Sequence, residues 1–354
     1  MDWVRGDSIG CGSFSTVNLA IPRNRSAPLM AVKSSDLFDS VQLENEIDVL
    51  NQLQSCDNVI RCFGGDQTLE HGERLFNLLL EYAPGGSLAQ LVQNCGGVPE
   101  SDVKSYTKSV LKGLRYIHAK GFAHCDIKLQ NLLLFENGEV KIADFGLAKK
   151  LGEKQGRLEF RGTPLYMSPE SVNENEYESP CDIWALGCAV VEMITGKSAW
   201  NCKGDMNMAT LLIKIGVGDE LPEIPKQLSE DGKDFVSKCF IKNPKLRWTA
   251  DMLLDHPFVS NVTTTATTTV TLKNSEDSVF SSPRCPFEFQ EWISVPSSSP
   301  KSELWSRREE LSSSSRIDWS AISCSPSPAE RIRELSCDDQ SCGWSYSGSW
   351  ITVR

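Results

Sequence analysis

The stretch that decides the fold runs from His124 to Gly146 and reads HCDIKLQNLLLFENGEVKIADFG. Two acids, Asp126 and Asp144, and the amide of Asn131 stand in it at fixed spacing. An apolar run, a turn with Asn and Gly, and a second short apolar run separate them. Phosphoryl transfer needs such groups, because one carboxylate must orient a hydroxyl while another carboxylate and an amide hold Mg²⁺. The stretch therefore predicts short strands around a turn that carry a phosphoryl-transfer site.

The spacing matches H-x-D-x-K-x-x-N followed by D-F-G, the signature of protein kinases. On these motifs the chain resembles a eukaryotic protein kinase over residues 3–259. The resemblance implies an α+β fold of two lobes, with a small β-rich N-lobe at about residues 3–82 and a large helical C-lobe at about residues 83–259. It also implies ATP and Mg²⁺ as cofactors, and a protein hydroxyl as the group that receives the phosphoryl.

Four residues of this stretch take functional roles under the resemblance. Asp126 would accept or orient the proton of the substrate hydroxyl. Lys128 marks the Ser/Thr kinases and would steady the transferred phosphoryl group. Asn131 and Asp144 would ligate Mg²⁺. His124 is interpreted as a structural residue, because the family uses the Asp as its base.

A glycine-rich turn between two strand-like segments lies near the start of the chain. Glycines let a backbone come close to phosphates and face its N–H groups towards them. In the kinase pattern G-x-G-x-x-G-x-V the third Gly is here Ser15, and the resemblance places Phe14 at the loop tip and Val17 against adenine. The residues implied to surround the nucleotide are Ile9, Gly10, Cys11, Gly12, Ser13, Phe14, Ser15 and Val17.

The segment MAVK, which ends at Lys33, resembles the V-A-I-K strand of kinases. Ala31 and Lys33 would then contact the nucleotide, with Lys33 bridging its α- and β-phosphates. Lys33 needs a carboxylate from the helix predicted over residues 41–53. Glu46 fits the family's E-x-x-V-L-x-x-L pattern, and Glu44 is the alternative.

An apolar strand-like run followed by EYAPGGSL resembles the hinge between kinase lobes. By position, the Glu81 carbonyl and the Ala83 amide would meet the adenine edge, and Leu80 would guard the pocket behind it. Pro and Gly then let the chain leave the strand. Apolar residues one turn apart predict a helix over residues 101–118, and His118 at its end receives no function.

Motifs in the second half of the domain imply three contacts. Glu170, in an SPE triplet that stands for the family's A-P-E, would form a buried ion pair with Arg247. Thr163 would hydrogen-bond beside the catalytic acid and lysine and shape the pocket for a Ser or Thr substrate. Asp182 would fix the backbone of the catalytic loop.

The residue before the catalytic acid is Cys125, where such kinases usually have Arg. That Arg anchors a phosphate on the activation loop, so its replacement removes the anchor. The loop from residue 147 to 167 has only Thr163 and Tyr166 as hydroxyl residues, both at its substrate-binding end. We therefore predict that activation-loop phosphorylation is not required. The alternative is that Cys125 is neutral and that control lies in the C-terminal tail.

Composition limits the class of protein further. A net charge of −11 argues against a nucleic-acid partner, which needs a basic face. The longest apolar runs are too short to span a bilayer, so no membrane insertion is expected. The 13 cysteines are odd in number and include no C-x-x-C pair, which is typical of reduced thiols in a cytosolic protein. We expect the protein in the cytoplasm, with a nuclear fraction left open.

The composition changes at residue 260. Residues 260–354 contain 24 Ser and 8 Thr and lose the apolar periodicity. Such a segment cannot bury enough surface to offset chain entropy, so we predict a mostly disordered regulatory tail. Its five tryptophans are either short docking motifs or side chains that pack on the kinase surface. Ser-Pro pairs at Ser282, Ser299, Ser325 and Ser327 would accept feedback phosphorylation by a MAP kinase.

Three further segments, GTPLYMSPE, KGLRYIH and HCDIK, narrow the resemblance. The first two resemble the MEKK-type MAP kinase kinase kinases, and HCDIK, together with RGTPLYM and GVGDELP, looks most like the short plant members of that group, some of which are linked to abscisic acid and stress signalling. This implies a Ser/Thr kinase whose substrate is a MAP kinase kinase. Two alternatives remain: a sterile-20-like kinase one tier higher, or a pseudokinase scaffold that acts through its tail. The presence of Lys33, Asp126, Asn131 and Asp144 argues against the scaffold.

Overall fold

A computed structural model describes most of the first 260 residues and two strands near the C-terminus. The described ranges are 2–12, 15–24, 26–37, 40–153, 161–200, 207–260, 344–347 and 350–353. Within them the chain forms a sheet with one helix, then a helical layer crossed by two small pairs of strands. The fold follows the sequence pattern, because the strand-like runs come first and the helical periodicity follows.

The first part is a five-stranded antiparallel sheet in the order β1-β2-β3-β5-β4. Its strands are β1 (Trp3–Cys11), β2 (Thr16–Pro22), β3 (Met30–Asp36), β4 (Cys62–Glu70) and β5 (Glu73–Glu81). The central strand β3 is buried along six of its seven residues. Lys33 lies in its middle, opposite Leu78 of β5. The sheet therefore withdraws the Lys33 side chain from solvent.

Helix α1 (Val41–Gln52) packs against this sheet through Leu43, Val49 and Leu50. It ends one residue before the predicted helix does. Glu46 lies on the same buried face and is fully excluded from solvent. A carboxylate in that position needs a cationic partner, since an unpaired buried charge is strongly destabilising.

The connection from the sheet to the helical part is short and closely packed. The Gly85 N–H donates to the Leu134 carbonyl at 3.1 Å, and the Leu134 N–H donates to the Gly86 carbonyl at 2.8 Å. A Cβ atom at Gly85 would lie 2.6 Å from the Leu134 oxygen, so this approach requires glycine. A capping box between Ser87 and Gln90 then starts α2.

The second part is built from eight helices among the described residues. They are α2 (Leu88–Cys95), α3 (Glu100–Ala119), α4 (Pro169–Glu174), α5 (Ser179–Thr195), α6 (Met208–Gly216), α7 (Glu230–Cys239), α8 (Ala250–Leu254) and α9 (Pro257–Ser260). Helix α5 is buried without a break from Cys181 to Val191, which places it at the centre of the core. Trp184 of α5 packs on Phe240, with ring centroids 5.2 Å apart.

Two small pairs of antiparallel strands position the loops between α3 and α4. One pair joins β6 (Phe122–Ala123) to β9 (Lys149–Lys150), and the other joins β7 (Leu132–Leu134) to β8 (Val140–Ile142). The loop of Asp126 connects β6 to β7, and the loop of Asp144 connects β8 to β9. Both acidic loops are thereby held at both ends. The predicted strands around the Asn-Gly turn are present.

This architecture confirms the two-lobed α+β fold. The helix predicted over residues 101–118 extends one residue further at each end. Beyond Ser260, the structure describes only a hairpin in which β10 (Trp344–Ser347) pairs with β11 (Trp350–Val353). The predicted disorder elsewhere in the tail and its Ser-Pro sites lie outside the described residues. Among the helices that are described, none is long and apolar enough to cross a membrane.

Candidate active site

A buried lysine joins the sheet, helix α1 and the Asp144 loop. The Lys33 ammonium lies 2.6 Å from Oε2 of Glu46 and 2.8 Å from Oδ1 of Asp144. The second Glu46 oxygen accepts from the Phe145 N–H at 3.1 Å. Glu46 thus binds the lysine and the Asp-Phe-Gly backbone at once, and it fixes α1 relative to both.

Glu44, the alternative partner for Lys33, points elsewhere. It is exposed and accepts a hydrogen bond from the Ser40 hydroxyl at 2.6 Å. Two positions along a helix rotate a side chain by roughly 200°, so only one of the two glutamates can face the sheet. The structure pairs Lys33 with Glu46.

The catalytic loop gathers a second cluster of buried polar groups. Oδ1 of Asp126 accepts from the Thr163 hydroxyl at 2.8 Å. Oδ2 accepts from the Asn131 amide at 3.1 Å and lies 2.9 Å from the Lys128 ammonium. Lys128 also donates to Thr163 Oγ1 at 2.9 Å. All four side chains are almost fully buried, so they hold one another in a single arrangement.

Asp182, at the start of α5, holds the backbone of this loop. Its two oxygens accept from the N–H groups of His124 and Cys125, each at 2.8 Å. His118 of α3 binds the same carboxylate through Nε2 at 2.9 Å. Burial acts to raise the pKa of Asp182, but contacts with His118 and His124 outweigh it and leave the pKa below its ordinary value. Asp182 is therefore a positioning residue that stays ionised.

His124 supports the loop from inside, as its sequence position indicated. Its Nδ1 accepts from the Asp126 N–H at 3.2 Å, and its Nε2 lies 3.0 Å from the Ala143 carbonyl. A neutral ring with its proton on Nε2 satisfies both bonds. The ring also packs edge-on against Phe145, with centroids 4.8 Å apart. Both ring nitrogens are therefore engaged in structural bonds.

Comparison with known proteins identifies the family. The family model described as "Protein kinase domain" matches residues 3–259. The chain belongs to the protein kinase family. It is 51% identical over 365 aligned residues to "Mitogen-activated protein kinase kinase kinase 20" of Arabidopsis thaliana, which covers 100% of both chains. From the same organism, kinase kinase kinase 17 is 37% identical over 100% of this chain and 93% of its own length, and kinase kinase kinase 18 is 43% identical over 74% and 78%.

Membership of the protein kinase family implies the use of ATP and a divalent metal. On the nucleotide side, β1 and β2 flank the glycine-rich turn, and the Gly12 N–H donates to the Ser15 carbonyl at 2.5 Å. Ile9 and Val17 pack against the core below the turn. The predicted nucleotide residues Ser13 and Phe14 lie outside the described residues.

The hinge residues lie where β5 leaves the sheet. Ala31 of β3 stands opposite Leu80, and Glu81 follows as the last residue of β5. The Glu81 side chain is bound by Lys141, with Nζ at 2.8 Å from both carboxylate oxygens. Ala83 lies two residues further on. The proposed contacts of the Glu81 carbonyl and the Ala83 amide with adenine remain predictions.

The available side chains fit a Mg²⁺ ion that takes some of its ligands from the protein and the others from phosphates. Within the described residues no group of three or more His, Cys, Asp and Glu side chains could hold a metal. Asn131 offers an amide oxygen and Asp144 offers carboxylate oxygens. Both are hard ligands of the kind that Mg²⁺ prefers. Because Mg²⁺ usually binds through one or two carboxylates plus substrate phosphates, this sparse set suits a metal that arrives with ATP.

The end of the activation segment packs tightly on the catalytic loop. Gly162 has a backbone φ of +93°, and a Cβ atom there would collide with the Cys125 carbonyl oxygen. Thr163 follows with its bonds to the catalytic loop. The Tyr166 hydroxyl donates a short hydrogen bond to Glu192 of α5. Burial, with the Tyr166 bond acting against it, raises the pKa of Glu192.

The predicted buried ion pair between Glu170 and Arg247 is present. Arg247 donates from Nη1 to Oε1 of Glu170 at 2.6 Å and from Nη2 to Oε2 at 2.9 Å. The same guanidinium donates to the carbonyls of Ile241, Pro180 and Lys242. Such a two-pronged pair with its remaining donors satisfied is the arrangement that makes a buried charge tolerable.

Sequence reasoning missed two members of this site. His118 received no function, yet it binds the Asp182 carboxylate 64 positions away. The Tyr166–Glu192 bond was also unforeseen. Both contacts join residues that are far apart in the sequence, so no local sequence motif contains both partners. The available signal was chemical: a histidine and a glutamate on helices that are otherwise packed into the core need polar partners.

Proposed function

We propose that this kinase is a MAP kinase kinase kinase that transfers the γ-phosphoryl group of ATP, with Mg²⁺, to Ser or Thr of MAP kinase kinases. The names of its relatives support the substrate, since the aligned protein that matches it along its full length is called a mitogen-activated protein kinase kinase kinase. The geometry supports the chemistry, because the groups that phosphoryl transfer requires form two bonded clusters, one of Lys33, Glu46 and Asp144 and one of Asp126, Lys128 and Thr163.

The residues of the chain divide the work of the transfer. Oδ1 of Asp126 accepts one hydrogen bond from Thr163 and has capacity for a second, so it can orient the substrate hydroxyl and receive its proton. Lys128 balances the charge of that carboxylate and can meet the transferred phosphoryl. Lys33 would clamp the nucleotide phosphates. Asn131 and Asp144 would hold Mg²⁺, which would neutralise charge on phosphate oxygens.

One observation carries the proposal that the protein is catalytic. The buried Lys33 ammonium forms ion pairs with both Glu46 and Asp144. A pseudokinase that acts only through its tail has no need of this arrangement. The sterile-20-like alternative uses the same chemistry. The similarity over the full length to proteins named MAP kinase kinase kinases argues against it.

The test is an assay of the purified full-length protein with ATP and Mg²⁺ against a panel of catalytically dead MAP kinase kinases, with the phosphorylated residues located by mass spectrometry. We expect Ser or Thr phosphorylation within the activation segment of at least one member. Catalytically dead MAP kinases and MAP kinase kinase kinases serve as controls. Preferred phosphorylation of a MAP kinase kinase kinase would favour the sterile-20-like alternative.

We further propose a setting for this activity. The kinase acts in plant stress or hormone signalling, including responses to abscisic acid, because it resembles the short plant members. It works in the cytoplasm, with a nuclear fraction. The Ser-Pro pairs of the tail support feedback by a MAP kinase, which phosphorylates Ser or Thr before Pro. Phosphopeptide mapping from stimulated cells should find at least one of them occupied; an empty set at full coverage would remove the feedback proposal.

A further inference from the structure

Two cysteines meet directly beneath the catalytic loop. Cys125 immediately precedes Asp126, and Cys181 immediately precedes Asp182 at the start of α5. Their side chains pack in one small cluster with Ala123 and Tyr177, separate from the main core. Within the described residues all eight cysteines are free thiols, so this pair is reduced in the structure.

The surroundings of the pair connect it to one carboxylate, Asp182, through the Cys181 thiol and the Cys125 backbone N–H. The Cys125 thiol donates to the Ala123 carbonyl at 3.6 Å, and the Cys181 thiol donates to Oδ1 of Asp182 at 3.8 Å. That same Asp182 oxygen accepts the Cys125 N–H. Contact with the Cys125 thiol, then burial and the Asp182 charge, raise the pKa of the Cys181 thiol well above its ordinary value.

A path from solvent to the pair distinguishes it from the other buried cysteines. Both thiols line a small opening of about 10 Å³, room for about one water molecule, whose wall also includes Asp126 and Arg161. Cys125 is 8% exposed and Cys181 is 6% exposed. Cys188 and Cys239, further along the core, are 1% and 0% exposed. The first pair is therefore the one that an oxidant close to water in size, such as hydrogen peroxide, reaches most readily among the buried cysteines that the structure describes.

We propose that Cys125 and Cys181 form an oxidisable thiol pair, and that hydrogen peroxide closes a disulfide between them which stops phosphoryl transfer. The sulfur of Cys125 attacks one oxygen of the peroxide, the O–O bond breaks, and the departing hydroxide takes up the thiol proton to leave as water. Cys125 is then a sulfenic acid. The sulfur of Cys181 attacks that sulfur, the S–S bond forms, and the sulfenic oxygen leaves with the second thiol proton as another water. The two thiols lose two electrons, which reduce the peroxide.

The disulfide would disturb the reacting groups because of where it forms. Bonded sulfurs lie about 2.05 Å apart, well inside the contact distance of two thiols. Closing that gap pulls the backbone of Cys125 against the hydrogen bonds that Asp182 makes to it, and Asp126 is the next residue. A displacement of about 1 Å at a reacting group can cost on the order of 10²-fold in rate. We expect a fall in kcat of about tenfold or more that dithiothreitol reverses.

The experiment uses the full-length protein, freed of reductant and treated with hydrogen peroxide. Kinase activity is followed on a general protein substrate, and non-reducing peptide mass spectrometry measures the fraction of Cys125 linked to Cys181. We expect activity to fall in step with that fraction, and both to return with dithiothreitol. Cys188→Ala, on the same helix, should behave like the wild type. Cys181→Ser should yield no linked peptide, and its Cys125 sulfenic acid should accumulate as a dimedone adduct.

Two results would overturn the proposal. One is the absence of the Cys125–Cys181 link under peroxide that already oxidises the exposed Cys11 and Cys95. The other is full activity in protein whose link has formed. The mass spectrum reports the link whether or not the chosen substrate is phosphorylated, so a wrong substrate assignment does not conceal the outcome.

Discussion

At the scale of single residues, the two glutamates of α1 show how closely chemistry depends on position. Glu46 binds Lys33 in a fully buried site, whereas Glu44 is exposed and binds only Ser40 among the contacts described. The residues carry the same carboxylate two positions apart. Their roles differ because the helix turns one towards the sheet and the other towards solvent.

A matched pair of substitutions tests this difference. Glu46→Gln should lower kcat/KM by about 10²-fold, because Lys33 and the Phe145 N–H lose the charged partner that fixes them. Glu44→Gln should stay within about twofold of the wild type. Steady-state kinetics give the comparison, and circular dichroism checks that both variants fold. Equal effects in the two variants would contradict the assignment of Glu46.

Asp144→Ala should abolish transfer more completely. It removes a Lys33 partner and the carboxylate proposed to hold Mg²⁺, so the rate should fall by on the order of 10²–10⁴-fold while the protein stays folded. Turnover with ATP is measured across a Mg²⁺ titration. Near-normal turnover in this variant would refute the catalytic role of Asp144.

Thr163 supports a third prediction at this scale. Its hydroxyl bridges Asp126 and Lys128, and a hydrogen bond to a charged group contributes about 1.5–3 kcal/mol. Thr163→Ala should therefore reduce kcat by about 10–100-fold, whereas Thr163→Ser, which keeps the hydroxyl, should recover most of it. If Ser and Ala variants lose the same activity, the methyl group and not the hydroxyl is what the site requires.

At the scale of elements, the activation segment is fitted to the catalytic loop through a glycine. Gly162 combines a positive φ with a close approach to the Cys125 carbonyl. Gly152 has a similar φ of +77° but has open space where a Cβ would lie. A side chain at Gly152 would meet only backbone strain, whereas one at Gly162 would meet both strain and a collision, so comparing the two positions distinguishes these effects.

Gly162→Ala and Gly152→Ala should differ in activity more than in stability. Both should lose about 1–3 kcal/mol from the strained backbone. Only Gly162→Ala should also push the catalytic loop, and we expect its kcat to fall by about tenfold or more. Chemical denaturation measures the stability and steady-state kinetics the rate. Unchanged kcat in Gly162→Ala would show that the loop can accommodate the added carbon.

The Glu170–Arg247 pair joins α4 to the chain after α7. Arg247→Met should destabilise the helical lobe by about 3–5 kcal/mol, because it leaves the Glu170 carboxylate buried without its partner. Lys238→Met, which breaks a partly exposed pair with Asp234, should cost less than about 1 kcal/mol. Urea unfolding followed by tryptophan fluorescence compares them. Similar costs for both would mean that the buried site relaxes to admit water.

At the scale of the whole molecule, the sequence predicted what depends on spacing within one motif. It located the strands on either side of the Asn137–Gly138 turn, the two lobes and the pairing partner of Glu170. It could not find the His118–Asp182 and Tyr166–Glu192 contacts, because each joins two segments far apart in the sequence whose approach is set by the packed core. It also missed the meeting of Cys125 with Cys181, since nothing in either segment refers to the other.

The assembled site bears on how the kinase is switched on. The only hydroxyl residues between residues 147 and 167, Thr163 and Tyr166, are buried and already bound to the catalytic loop and to Glu192. A phosphate on either would break these bonds. Lys149, which could attract a loop phosphate, is bound to Glu178 at 3.1 Å. The central claim is therefore that the site works without a phosphate on the activation loop.

The most direct test is the activity of full-length protein made in bacteria, treated with phosphatase, and assayed on a catalytically dead MAP kinase kinase. Mass spectrometry before and after the assay checks that Thr163 and Tyr166 carry no phosphate, and Asp126→Asn provides the inactive control. We predict that kcat stays within about twofold of the untreated protein. Loss of activity together with loss of phosphate from Thr163 or Tyr166 would contradict the account.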